Sequence, residues 1–210
     1  MKINYLAASA SIALLMAACS PKTTVNQSPM ANAPMKTMLP KDSSVIMGTL
    51  PNGLTYYIRK NAEPKNRAEL YLVNKVGSIV ETDAQQGLAH FTEHMAFNGT
   101  RDFPKNELVS YLQKAGVRFG ADLNAYTGFN QTVYQLPLPT DSTAVFEKGF
   151  DILSNWAGYV TFDNNEIDQE RGVIIEEDRQ RGKNAQERMS KQLLPVLLAN
   201  SKYAKRLPIG

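Results

Sequence analysis

The stretch Thr82-Asp83-Ala84-Gln85-Gln86-Gly87-Leu88-Ala89-His90-Phe91-Thr92-Glu93-His94-Met95-Ala96-Phe97-Asn98-Gly99 decides how this chain is read. Thr82 with Gln85 has the form of a capping box, helix formers run on through Phe97, and Asn98-Gly99 is a stop signal, so a helix is expected across the stretch. Both histidines of the chain fall inside it, in His90-Phe91-Thr92-Glu93-His94. A spacing of four residues sets the two imidazoles on one face, a turn apart, where two ring nitrogens can reach the same zinc ion. Glu93 stands beside that face without being forced into the ligand set. Zinc lowers the pKa of bound water to about 7, and a neighbouring carboxylate can take the proton as the water attacks a carbonyl carbon. The pattern points to metal-assisted hydrolysis, with Glu93 as the catalytic base and one Zn2+ per chain. A solvent-facing helix is the bland alternative, and the packing of every histidine into five residues argues against it.

Two histidines do not complete a catalytic zinc site, which has three protein ligands and one open position. The run Glu166-Ile167-Asp168-Gln169-Glu170-Arg171-Gly172-Val173-Ile174-Ile175-Glu176-Glu177-Asp178 supplies carboxylates. Glu170 and Glu177 share a helical face, whereas Glu176 points about 100° away from Glu177. Spacing alone leaves these glutamates open as the third ligand. A structural zinc site normally has four protein ligands and usually cysteines; this chain has one, Cys19.

Outward from the motif, Val45 to Leu50 and Leu54 to Ile58 flank Pro51-Asn52-Gly53 and read as a β-hairpin. Ala68 to Val76 reads as a third strand. Pro104 to Ala115 fits a helix with Leu108 and Leu112 on one face and Gly116 past its end. Asp122 to Thr127 and Thr132 to Leu138 read as strands, Asp141 to Tyr159 as an amphipathic helix, and a final helical stretch from about Asn165 carries the acidic cluster. The expectation is an α+β fold: helices packed on a mostly antiparallel sheet, with the zinc motif on a helix. Phe129, Tyr134 and Trp156 are read as core aromatics, and Arg179, Arg181, Lys183 and Arg188 as a solvated helix face.

The N-terminus has the form of an export signal. Lys2 gives positive charge, and Leu6 to Ala18 form an apolar run too short to span a bilayer. Met16-Ala17-Ala18-Cys19 resembles a bacterial lipobox. Residues 1–18 are therefore expected to be a lipoprotein signal peptide, with Cys19 lipidated as the mature N-terminus. Residues 19–44 are Ser-, Thr-, Pro- and Asn-rich and are read as a disordered tether, which places residues 45–210 in the bacterial cell envelope, held by a lipid anchor and facing the periplasm or outer surface. Lys and Arg number 23 against 20 Asp and Glu, scattered without a basic stripe, so nucleic acid is not an expected partner.

The His90-to-His94 motif is the inverted H-x-x-E-H form, and here the chain resembles the pitrilysin/insulinase group of zinc metallopeptidases. The resemblance extends through Leu50-Pro51-Asn52-Gly53-Leu54, Gly87-Leu88-Ala89-His90, Glu93 to Thr100, Asn124-Ala125-Tyr126-Thr127, and Glu170-Arg171 with Val173. It covers roughly residues 45 to 210, a domain-sized stretch. It implies Glu177 as the third metal ligand, Glu170 as its supporting carboxylate, and Asn124 beside the site. It also implies that Ala125, Tyr126 and Thr127 form an edge strand along which an extended peptide pairs. The implied activity is that of a zinc metalloendopeptidase acting on extended or unfolded peptides. Its partners would be the remaining domains of a full-length enzyme or a partner subunit, residues 45–210 being the N-terminal zinc-binding domain, truncated at its C-terminus. The rival reading is a non-catalytic zinc-binding or partner-binding envelope lipoprotein. Glu93 argues against the rival, since metal binding alone needs no base beside the ligands.

Overall fold

The computed structural model describes residues 40–118, 120 and 124–210. The signal segment, Cys19, the tether to residue 39 and Asp122 lie outside the described residues. The chain divides into two units, Met1–Lys60 and Asn61–Gly210. In the first, β1 (Val45–Thr49) pairs antiparallel with β2 (Thr55–Arg59), in a register running from Val45 opposite Arg59 to Thr49 opposite Thr55. The hairpin turns as its sequence predicts: Gly53 has φ 89°, a left-handed conformation natural to glycine, and Asn52 Oδ1 accepts the Leu54 N–H at 3.1 Å.

In the second unit, β3 (Arg67–Asn74), β4 (Asn124–Thr127) and β5 (Thr132–Pro139) form an antiparallel sheet in the order β3-β5-β4. The third strand thus joins β5 in a sheet separate from the hairpin. β5 is central and almost entirely buried, which explains its run of apolar residues in place of alternation. Its prolines, Pro137 and Pro139, lie beyond Gln135, where β5 has only β3 beside it among the described residues. A missing ladder donor is tolerated there.

The helices are α1 (Leu88–Asn98), α2 (Glu107–Lys114), α3 (Thr143–Gly158), α4 (Asn164–Arg181) and α5 (Ala185–Leu197). Leu72, Leu136 and Leu138 of the sheet, Leu108 and Leu112 of α2, and Ile152 and Trp156 of α3 share one core with Ala96 of α1. Trp156 stacks on Tyr134 at 5.2 Å and donates its indole N–H to the Ala96 carbonyl at 3.1 Å. This ties the metal-motif helix to the sheet and confirms the core reading of both aromatics.

Three helix boundaries differ from the sequence expectation. The Thr82–Gln85 capping box is present, but it closes a 3-10 turn over Asp83–Gln85. Gly87, at φ 86°, then breaks the chain so that α1 begins at Leu88. The Glu81 carboxylate caps this new start, accepting the N–H groups of Gly87 and Ala89 at 3.1 and 2.8 Å. α2 begins after Pro104 because Lys105 takes φ 51°, outside the helical region. The final helical stretch is two helices, since α5 forms separately after Gly182–Asn184 with the Asn184 side chain accepting the Gln186 N–H.

The segment that delivers Glu81 is clamped main chain to main chain, with Ser78 N–H donating to Gly128 O at 3.2 Å and Ile79 N–H to Phe129 O at 2.9 Å. A Cβ on Gly77 would stand 2.3 Å from Gly128 O and 2.7 Å from Phe129 O. Gly77→Ala is expected to destabilise the fold by about 1–3 kcal/mol through overpacking. At this chain length the thermal midpoint should fall by roughly 2–4 °C per kcal/mol. Differential scanning calorimetry decides, and an unchanged midpoint would show that the clamp yields freely.

Candidate metal centre

α1 presents His90, Glu93 and His94 toward α4 and β4, and burial of its inner face follows the sequence period: His90, Glu93, Met95 and Ala96 are buried. α4 lies alongside α1 and brings Glu170 and Glu177 to the same place. Its start is fixed by Asp163, whose side chain accepts the N–H groups of Asn165 and Glu166.

His90 Nε2 and His94 Nε2 are 3.2 Å apart, and Glu177 Oε2 lies 3.4 Å from the first and 3.3 Å from the second. Three donors tetrahedrally arranged around an ion about 2.0–2.1 Å from each would be separated by about 3.3–3.4 Å. The three atoms therefore fit one small cation, and these three residues are the group among the described residues able to hold a metal ion. A second observation supports the fit. Glu177 Oε2 is buried and has no hydrogen-bond partner, an expensive state for a carboxylate oxygen unless a cation takes up its lone pairs.

Each neighbour of this triangle has an identifiable task. Glu170 Oε1 accepts the His94 Nδ1–H at 2.7 Å, which turns Nε2 toward the triangle, and Asn98 Nδ2 donates to Glu170 Oε2 at 2.5 Å. The His94 bond, opposed by burial, holds the Glu170 carboxyl below its usual range. Burial disfavours charge on His94, but Glu170 outweighs it and raises that imidazole. Burial and the neighbouring His94 push His90 down to about 4, the neutral form a ligand requires. Glu93 is raised above an ordinary carboxyl by burial, partly offset by Thr127, whose Oγ1 donates to Glu93 Oε2 at 2.5 Å. Tyr134, behind it, is raised by burial and by the Glu93 charge.

Glu176 is placed elsewhere. Its carboxylate is exposed and accepts two hydrogen bonds from Arg179 at 2.6 Å, which with Gln180 hold it down at about 2. Asn124, Ala125, Tyr126 and Thr127 line the cavity above the triangle. The Asn124 side chain accepts the Ala125 N–H at 2.9 Å, and the edge of β4 away from β5 has no strand beside it among the described residues.

Sequence reasoning missed four cavity or support residues. Asn98 lies one turn beyond His94, a spacing from which its reach to Glu170 was readable. Arg181 was assigned to a solvated face, yet it lines the cavity and bonds to Glu177. Pro208 and Ile209 also line the cavity. They are held there by Arg206, which donates to Glu81 O at 3.1 Å and to the Asp83 carboxylate, while Ser78 Oγ donates to Arg206 O at 2.6 Å. No local pattern announces that long-range packing.

A family model described as Insulinase (Peptidase family M16) matches residues 56–207. The chain is 44% identical over 172 residues to the probable zinc protease PqqL of Escherichia coli, covering 82% of this chain and 18% of that protein. It is 41% identical over 172 residues to the Haemophilus influenzae protein of the same description, with the same coverage of each. It thus spans about a fifth of the length of these relatives. Among solved structures, the first half of the periplasmic protease PqqL from Escherichia coli superposes with a TM-score of 0.79 at 44% identity, over 82% of this chain and 36% of that one.

Proposed function

Because this chain belongs to the insulinase family of peptidases, we propose that residues 45–210 are the zinc-binding domain of a metalloendopeptidase acting on extended peptides. The observation that carries the reading is the triangle of His90 Nε2, His94 Nε2 and Glu177 Oε2, with edges of 3.2 to 3.4 Å. When bound there, zinc would supply Lewis acidity, acidifying water and polarising a peptide carbonyl.

The chain's own residues supply the rest. Glu93 is the proton acceptor: its burial raises its affinity for a proton, and Thr127 occupies Oε2, leaving Oε1 to take one. Having received the proton, the same carboxyl can hand it to the leaving amine. Glu170 with Asn98 keeps His94 in the tautomer that turns Nε2 toward the triangle. The unpaired edge of β4 offers main-chain groups to an extended peptide, with Ala125, Tyr126 and Thr127 beside the cavity. Asn124 stands beside the site in this reading, lining the same cavity. Further domains, of the kind that make up the rest of the longer relatives, complete the substrate chamber in this reading.

Zinc content tests the proposal on the chain itself. About one zinc per purified chain, removable by a chelator, is the expected result, and a chain that takes up no zinc at neutral pH overturns it.

We also infer an envelope location with Cys19 as lipid anchor and residues 20–44 as spacer, on the strength of the lipobox-like Met16-Ala17-Ala18-Cys19 and of the periplasmic relative. No helix among the described residues is long and apolar enough to cross a membrane. Cys19→Ser is accordingly expected to move the protein from the membrane to the soluble fraction. Fractionation of cells expressing each form checks this, and persistent membrane association of the variant excludes the anchor.

A further inference from the structure

Glu177 turns its two oxygens to different partners. Oε2 faces the two histidine nitrogens, while Oε1 accepts from Arg181 twice, from Nε at 2.9 Å and from Nη2 at 2.5 Å. Two other acidic–basic pairs within α4, spaced three residues apart rather than four, are ordinary surface contacts. Arg171 and Asp168 have side chains 67% and 81% exposed, and Arg179 and Glu176 61% and 49%. The Glu177 side chain is 28% exposed, with Oε2 itself buried. Arg181 also lines the cavity that holds the donor triangle. It is therefore an ion pair built into the rim of the site, unlike its neighbours on the helix.

We propose that Arg181 is a positioning residue that reserves Glu177 Oε1, so that Glu177 can offer only Oε2 to a metal ion. The proposal rests on the metal-centre reading above. A free carboxylate beside a divalent cation can bind through both oxygens. Two N–H groups converging on Oε1 consume the lone pairs that such a clamp would use, and they fix the carboxylate plane with Oε2 toward the histidines. The coordination position that a second oxygen would occupy is then left for water or substrate, as a hydrolytic site requires. Arg181 thereby does for Glu177 what Glu170 does for His94: both side chains are oriented through the atom that points away from the donor triangle.

The test uses the chain itself in three forms: wild type, Arg181→Ala and Arg181→Lys. Zinc affinity is measured by competition with a chromophoric chelator, and the visible spectrum is recorded after loading with Co2+, whose absorption weakens when coordination rises above four. Arg181→Ala is expected to bind zinc about 10–100-fold more weakly, the usual range for loss of a supporting residue, and to lose Co2+ absorption intensity. Arg181→Lys, which keeps a donor on Oε1, should recover part of both. The thermal midpoint of the metal-free protein should hardly change, because the Arg181 side chain is 49% exposed and such a pair adds little by itself. An Arg181→Ala protein with wild-type zinc affinity and an unaltered Co2+ spectrum refutes the proposal and leaves the metal centre standing. A wild-type chain that binds neither ion removes the metal centre as well.

Discussion

Single replacements of His90 or His94 by alanine, or of Glu177 by glutamine, are expected to abolish stoichiometric zinc binding, while Glu176→Gln leaves it intact. The donors His90 Nε2, His94 Nε2 and Glu177 Oε2 form a closed triangle, and two surviving donors cannot hold the ion as three do. Glutamine at 177 keeps the shape but replaces an anionic oxygen with a neutral amide, so the loss isolates charge from packing. Glu176 is the matched control, one residue away on the same helix, exposed and committed to Arg179 at 2.6 Å. Thermal denaturation offers an independent readout. A ligand that binds only the folded state at 100 times its Kd stabilises by about 2.7 kcal/mol, so zinc should raise the wild-type and Glu176→Gln midpoints by several degrees and leave the other three unmoved. Zinc lost from Glu176→Gln and kept by Glu177→Gln would show that the ligand register is off by one residue.

How much of this arrangement the sequence announces depends on the range of the interaction. The His90-to-His94 spacing and the seven-residue step from Glu170 to Glu177 are helical periods, and a helix converts them directly into a shared face. The hairpin at Pro51-Asn52-Gly53 is equally local, as is the amphipathic α3. The start of α1 was misjudged because the Thr82–Gln85 capping box is a true signal that closes only a 3-10 turn. The carboxylate that caps α1 belongs to Glu81, outside the stretch that carries the helix pattern. Arg181 shows a different limit. An arginine four residues after a glutamate reads as a solvated pair on any helix. It acquires its task only because α4 packs against α1 and turns Glu177 inward, which no window of sequence contains. The hold of Arg206 on Glu81 and Asp83, bridging more than 120 residues, is further still from local legibility.

Glu93→Gln is expected to retain zinc at wild-type affinity and to lose peptide cleavage by about 10²–10⁴-fold, the range usual for removal of a general acid–base group. Glu93 is buried and raised above an ordinary carboxyl, and none of the three donor atoms belongs to it. The amide preserves its volume and can still accept the Thr127 hydroxyl proton through its carbonyl oxygen. What it cannot do is take a proton from an attacking water. Cleavage is to be measured in a protein that also contains the further domains of the longer relatives, since this chain spans 18% of their length; zinc affinity is measured on the chain alone. The two readouts then separate the roles. Loss of both would mean that the substitution disturbs the ligand set, placing Glu93 in the metal site rather than beside it. Retained zinc with retained cleavage would mean that the proton goes elsewhere, and the assignment of Glu93 as base fails. Retained zinc with lost cleavage is the expected result, because the donor triangle is formed by three other residues while Glu93 stands buried beside it with only Oε2 engaged, by Thr127.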